Sequence, residues 1–205
     1  MKYAKSTRLL TIVALVVATP YPGLADEQKA VPAAGEQTSE AEIKQQEIAL
    51  KQQEIDARAT DAISELLTKV ENADTLYDEA AGYAVFGAAK AGLILTGGGG
   101  NGVAVNNKTK ERVYMNMGTG GLGLGAGVQK FRLVMLFETD EALQKFIDGG
   151  WDSAVSAQAA AGKAGSNFAS SFVNGVAIYQ LTEKGLMAQA DLTSSRFWVN
   201  DDLNQ

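Results

Sequence analysis

Apolar and polar positions change rhythm partway along this chain. Between residues 42 and 70, Ile48, Ile55, Ala59, Ala62, Leu66 and Val70 recur at spacings of 7, 4, 3, 4 and 4, which puts them on one stripe of a helix. Ser39, with Glu42 three residues on, has the form of a capping box at its start. The first turns carry a short repeat, Glu42-Ile43-Lys44-Gln45-Gln46-Glu47-Ile48 and then Ala49-Leu50-Lys51-Gln52-Gln53-Glu54-Ile55. These turns are Gln-rich and thinly apolar, whereas Ile63-Ser64-Glu65-Leu66-Leu67 has the density of a helix docked on a core. A coiled-coil stalk and a solvated helix leading into a domain both fit. Two heptads fall short of the three or four that define a coiled coil.

From Tyr83 the period shortens to that of strands. The pattern predicts strands near 83–88, 91–97, 102–107, 111–118, 121–128 and 130–138, with Asn106-Asn107-Lys108-Thr109-Lys110 as a polar hairpin turn. Thr139 caps a predicted helix over 139–147, with Phe146 and Ile147 facing inward and Gly149-Gly150 ending it. Residues 152–172 are Ala/Ser-rich and read as a helix, whole or broken near Gly162. Closing strands are predicted over 174–182, 186–193 and 195–200.

Glycine sets the shape of those strands. Twenty of the 22 glycines lie between Gly82 and Gly185. They alternate with apolar residues rather than with serine, unlike a flexible linker. Gly97, Gly98, Gly99, Gly100, Gly102, Gly118, Gly120, Gly121, Gly123 and Gly125 are therefore read as structural, placed where strands bend or another backbone comes close. The fold class that follows is α+β: a strongly bent antiparallel sheet or partial β-barrel flanked by helices, preceded by a long acidic N-terminal helix.

The start of the chain has its own logic. Lys2, Lys5 and Arg8 precede an apolar run from Leu9 to Ala18, and Gly23-Leu24-Ala25 offers small residues for cleavage. This is the layout of a secretory signal peptide, and the run is too short to span a bilayer. The expected organisation is a signal peptide over 1–25, a disordered leader over 26–40, the helix over 41–75 and a Gly-rich domain over 76–205, in a periplasmic protein.

Composition removes several chemistries. With His 0 and Cys 0, histidine bases, Ser-His-Asp triads, common zinc sites and disulfides are excluded. Residues 26–80 hold 14 acidic against 5 basic side chains, whereas residues 81–205 hold 10 of each. With no basic domain, a nucleic-acid partner is not expected.

Gly118-x-Gly120-x-x-Gly123 matches the dinucleotide fingerprint in letters only. The next residues, Leu124-Gly125-Ala126-Gly127, cannot sustain the helix whose N-terminus must hold pyrophosphate. The 97–102 run lacks the Lys-Ser/Thr pair of a P-loop, and no Gly-x-Ser-x-Gly elbow or calcium loop is present. No catalytic residue, metal or cofactor is expected. The basic residues carry more. Lys108, Lys110 and Arg112 share one hairpin, and Lys90, Lys130 and Arg132 lie near other strand ends. They suit anionic lipid head groups, and equally the ordinary protection of sheet edges by lysine.

The stretch Tyr83-Ala84-Val85-Phe86-Gly87-Ala88-Ala89-Lys90-Ala91-Gly92-Leu93-Ile94-Leu95-Thr96-Gly97-Gly98-Gly99-Gly100-Asn101-Gly102-Val103 resembles the opening of the SYLF domain. Gly127-Val128-Gln129 is similar to the end of that family's second glycine segment. Val176-Ala177-Ile178-Tyr179 through Lys184-Gly185-Leu186-Met187-Ala188 is similar to its closing hairpin. The resemblance spans about 65–205 and implies a non-catalytic lipid-binding domain. Eukaryotic members bind phosphoinositides beside actin, and exported bacterial members bind phospholipid. Gly87 stands where the family usually has Pro, and the preceding helix is acidic rather than basic, so phosphoinositide specificity is not carried over. The expected function is non-catalytic phospholipid binding in the bacterial cell envelope, at a membrane surface. The alternative is a structural envelope protein that forms a homo-oligomer through a coiled coil at 42–70.

Overall fold

The computed structural model describes residues 34–92, 95–122, 127–149, 171–182, 185–187 and 195–205. The segment expected as a signal peptide, most of the predicted leader, all but the last two residues of the 152–172 segment, most of the strand expected over 186–193, Gly123 and Gly125 lie outside them. The first helix, α1 (Ala34–Lys69), begins inside the segment read as a leader, so Ser39 sits within the helix instead of capping it. Asn72, in the left-handed conformation at φ 64°, separates α1 from the short α2 (Ala73–Glu79). Asn is one of the few residues besides Gly that adopts this geometry readily.

Four long strands follow: β1 (Gly82–Gly92), β2 (Leu95–Asn106), β3 (Arg112–Leu122) and β4 (Gly127–Phe137). Then come α3 (Asp140–Ile147), β5 (Val176–Thr182), β6 (Gly185–Met187), β7 (Ser195–Val199) and a 3-10 turn (Asp201–Asn204). The strands form one antiparallel sheet in the order β6-β5-β4-β1-β2-β3-β7, open at both edges.

The glycine run is the main departure from the sequence pattern. The segments expected as separate strands at 91–97 and 102–107 are the end of β1 and a single continuous β2, so the 97–102 glycines lie mid-strand. Residues 121–128 likewise straddle the end of β3 and the start of β4. Read locally, consecutive glycines signal a turn. Here β2 is paired along both edges, with Gly97 opposite both Ala91 and Gly120, and two ladders hold a segment that its own propensity would not.

Alternation along the strands makes two cores. On one face Val85, Val103, Val105, Val134, Leu136, Tyr179 and Leu181 pack under α1, against Ile55, Ala59, Ala62 and Leu66. The apolar stripe of α1 is thus buried in the chain's own core. The other face gathers Phe86, Met115, Met117, Leu133, Met135, Phe137 and Phe197 against Leu143 and Phe146 of α3. Each such side chain contributes about 1.5–3 kcal/mol. α3 forms as its sequence dictates, with the Thr139 hydroxyl accepting the Ala142 amide at 3.2 Å. Ile147 ends only half-buried.

The sheet bends strongly. In a flat sheet β1 and β7, three steps apart, would be separated by about 14 Å. The Phe86 and Phe197 rings nonetheless approach to 4.9 Å, with Phe146 5.2 Å from Phe197. The inner side of that bend is where glycine is required. A Cβ on Gly98, Gly100 or Gly102 would collide with the carbonyl oxygens of Ala89, Gly87 and Val85 across the ladder.

α1 crosses the other face from the β7 side to the β4 side. Gln52 donates to the Leu203 carbonyl at 2.8 Å, the Tyr114 hydroxyl to Asp56 at 3.2 Å and Arg58 to Asn101 at 2.9 Å. The crossing ends where Arg132 pairs with Glu65.

Candidate functional site

Where α1 leaves the sheet, the pairing register defines a surface. Residues directly opposite in antiparallel strands share a face. One row across the α1 face therefore reads Leu181, Arg132, Gly87, Asn101, Asn116 and Trp198. The next reads Lys130, Ala89, Gly99, Gly118 and Arg196, and the one beyond it Val128, Ala91, Gly97 and Gly120. The middle of each row has glycine, alanine or asparagine, and the first two rows end in long side chains. The result is a trough with a floor of backbone and short side chains. Lys130 and Arg132 wall one side and Arg196 and Trp198 the other, four strands apart.

The floor is open at Gly97, where a Cβ would meet no atom within 4 Å, whereas at Gly118 the Trp198 ring leans over it, 3.3 Å from where a Cβ would stand. Trp198 itself is 48% exposed. At the α1 end the trough deepens into a cleft of about 590 Å³, lined among others by Glu54, Arg58, Gly87, Asn101, Lys130 and Arg132.

Arg58 is positioned by a missing side chain. Its guanidinium lies over Gly87, where any Cβ would collide with it. Asn101 accepts a hydrogen bond from it at 2.9 Å, and Glu54 pairs with it at 3.2 Å. The glycine that departs from the family's Pro is thus the residue that admits this arginine. Arg132 is held by Glu65, which also takes Lys69 at 2.7 Å. The Lys69 hydrogen bond, helped by Arg132 and opposed by burial, keeps the Glu65 carboxyl below its ordinary range. Further along α1, burial and the neighbouring Asp56 carboxylate push the Tyr114 hydroxyl up to about 12.

The six basic residues singled out from sequence fall into separate places. Lys130 and Arg132 wall the trough. Lys90 sits at nearly the same height on the opposite face of the sheet, because it pairs with Gln129 rather than with Lys130. Lys108, Lys110 and Arg112 belong to the other end, six or seven strand residues from the Lys130 row, about 20–23 Å away. There Arg112 pairs with Asp56 at 3.5 Å. The turn is fastened by Asn106 to Asp140 at 2.7 Å and by Asn107 to the Ala80 carbonyl at 2.9 Å. Glu111, Asp140 and Glu141 line a neighbouring hollow, so this end is of mixed charge.

Sequence reading missed Arg58, Arg196 and Trp198. For the last two a signal existed. Strand alternation around the inward Phe197 puts residues 196 and 198 on one face together. Arg58 had none, since its place follows from a helix crossing to a strand 43 positions further on.

The arrangement suits an anionic, elongated ligand. Guanidinium forks match phosphate oxygens in geometry and charge, and a glycine floor admits close approach. The fold is an α+β domain built on an open, bent sheet, and the trough is its candidate site. Residues 118–205, from late β3 through β7, match the family described as "Ysc84: Las17-binding protein actin regulator". A protein of Aeromonas veronii described as "Beta cell expansion factor A" is 36% identical over 151 residues, 74% of this chain and 58% of its own length. The chain therefore spans under two thirds of that relative. Over residues 118–205 it carries a Ysc84 (SYLF) domain, the family its glycine segments resemble.

Proposed function

We propose that this chain is an exported, non-catalytic protein of the cell envelope that binds anionic phospholipid in the glycine-floored trough. The observation that carries this reading is the placement of Arg58, Lys130, Arg132 and Arg196 around a floor without side chains, with Glu54 and Glu65 as the carboxylates nearby. Ysc84 domains are associated with lipid and with actin-related partners, which supports a binding role. Export rests on the charged start, short apolar run and Gly23-Leu24-Ala25. Among the described residues no helix is long and apolar enough to cross a membrane. Assembly through a coiled coil at 42–70 has less support, since the stripe it needs packs on the sheet.

The test is charge reversal on both walls, Lys130→Glu with Arg196→Glu, at two exposed side chains. Basic residues near an anionic surface contribute about 1 kcal/mol each. The double variant should therefore bind phosphatidylglycerol vesicles on the order of thirtyfold more weakly in co-sedimentation, with a shallower salt dependence. Undiminished binding by a folded double variant would remove the trough as the site.

A further inference from the structure

The trough runs out at one end of the sheet, and that end has the makeup of a surface that enters a membrane. We propose that the end of β1–β4 at which Gly92 pairs with Gly127 dips into the acyl region of an anionic bilayer, with Lys90 and Lys130 at the level of the phosphates. The proposal rests on the phospholipid reading above and deepens it from a ligand to an orientation.

Three observations carry it. First, charge is absent from the whole end: residues 91–107 and 113–129 contain no Asp, Glu, Lys or Arg. A solvated pair of hairpins would normally carry some. Second, the strands hold their order to this end. β1 to β4 stay paired with one another to Gly92–Gly127 and Leu95–Leu122. Third, the most exposed large apolar side chain described, Val128 at 71%, stands on this end opposite the exposed Ala91.

The cations complete the match. Lys90 and Lys130 occupy neighbouring heights on opposite faces, so each face carries a positive charge where the uncharged region begins. From there to the described pairs Gly92–Gly127 and Leu95–Leu122 is two to four residues, about 7–13 Å of strand. Interfacial elements embed to about 5–10 Å, so the first residues past the lysines reach acyl depth. The backbone groups carried inward are those already paired between β1 and β4, which limits the cost of leaving water.

The absence of native cysteine makes the test direct. Val128→Cys and Lys108→Cys, in the full chain and labelled with an environment-sensitive fluorophore, report the two ends of the sheet. On phosphatidylglycerol vesicles the label at 128 should shift to the blue and be quenched by nitroxides on the acyl chains, while the label at 108 stays in water. Co-sedimentation of the same samples separates the failures. Vesicle-bound protein with a water-exposed label at 128 overturns the orientation alone, and absence of vesicle binding overturns the phospholipid reading with it. Unlabelled Val128→Asp, an exposed change that should leave melting unaltered, is expected to lose at least tenfold in vesicle affinity. Unchanged vesicle affinity would also overturn the orientation.

Discussion

The two ends of the same four strands are built on opposite terms. At the Asn106–Glu111 turn, every group is fastened. Asn106 accepts the Lys108 and Thr109 amides at 2.9 Å, and Asp140, Ala80 and Asp56 hold the turn and its flank to three helices or their junctions. Charges of both signs alternate there. At the Gly92–Gly127 end, the described residues are mostly glycine and carry no charge beyond Lys90 and Lys130. A strand end tied into helices serves stability, and the uncharged one is the end proposed above to meet a membrane. The difference teaches that a lysine cluster has to be weighed with the carboxylates beside it, as Lys108 and Lys110 are with Glu111 and Asp140.

The largest effect expected from breaking this contrast is on folding. Gly100 belongs to the glycine half but faces the inner side of the bend, where a Cβ would strike the Gly87 carbonyl. Gly100→Ala should cost about 3 kcal/mol, the upper part of the overpacking range, read as a lowered denaturant midpoint. Gly97, three residues earlier on the open face, has no neighbour to strike, and Gly97→Ala should stay within about 0.5 kcal/mol. Equal losses would mean that glycine serves the strand as a whole and not the bend.

Next in size is the anchor between α1 and the trough wall. Glu65→Gln removes the carboxylate shared by Arg132 and Lys69, at an expected cost of about 1–3 kcal/mol. The sign with pH follows from the lowered Glu65 carboxyl. Its contribution is complete above the ordinary carboxylate value of 4.5 and is lost as pH falls through the lower folded value. Wild type and Glu65→Gln should therefore converge in stability under acid and differ at neutral pH. A constant gap across the acid range would assign the loss to packing.

The smallest effect sharpens the comparison directly. Lys108→Glu with Lys110→Glu changes charge as much as the double reversal on the trough walls, but about 23 Å away. At physiological salt that is several Debye lengths, so vesicle affinity should change by less than about threefold. A loss matching that of the trough variant would move the membrane contact to the turn.

Much of this architecture is legible in the sequence where local chemistry decides. Thr139 caps α3, Asn106 folds the turn, and the period of two marks the sheet. The acidic helix shows its buried stripe in the spacing of Ile55, Ala59, Ala62 and Leu66. Pairing decides the rest. Nothing in 97–102 alone says strand, since the ladders on either side supply the order. The trough needs even more: Arg58, Lys130 and Arg196 are placed by a helix crossing and four strand registers. Sequence therefore named Lys130 and Arg132 for their charge, could not separate them from Lys108 and Lys110, and left Arg58 in a helix whose net charge is negative.

The bond from Gln52 to the Leu203 carbonyl joins positions 151 apart, and Asn204 reaches back to both the amide and the carbonyl of Tyr114 at 2.9 and 2.8 Å. A chain made or threaded from its N-terminus thus holds α1 without its closing partners until the last strand and turn have emerged. Contacts of such separation form slowly. The stripe of α1 meets Val85, Val103 and Val105 early, but Tyr179, Leu181 and Leu203 only late, so the order of synthesis gives this domain a window in which a chaperone can hold it and a protease can reach it.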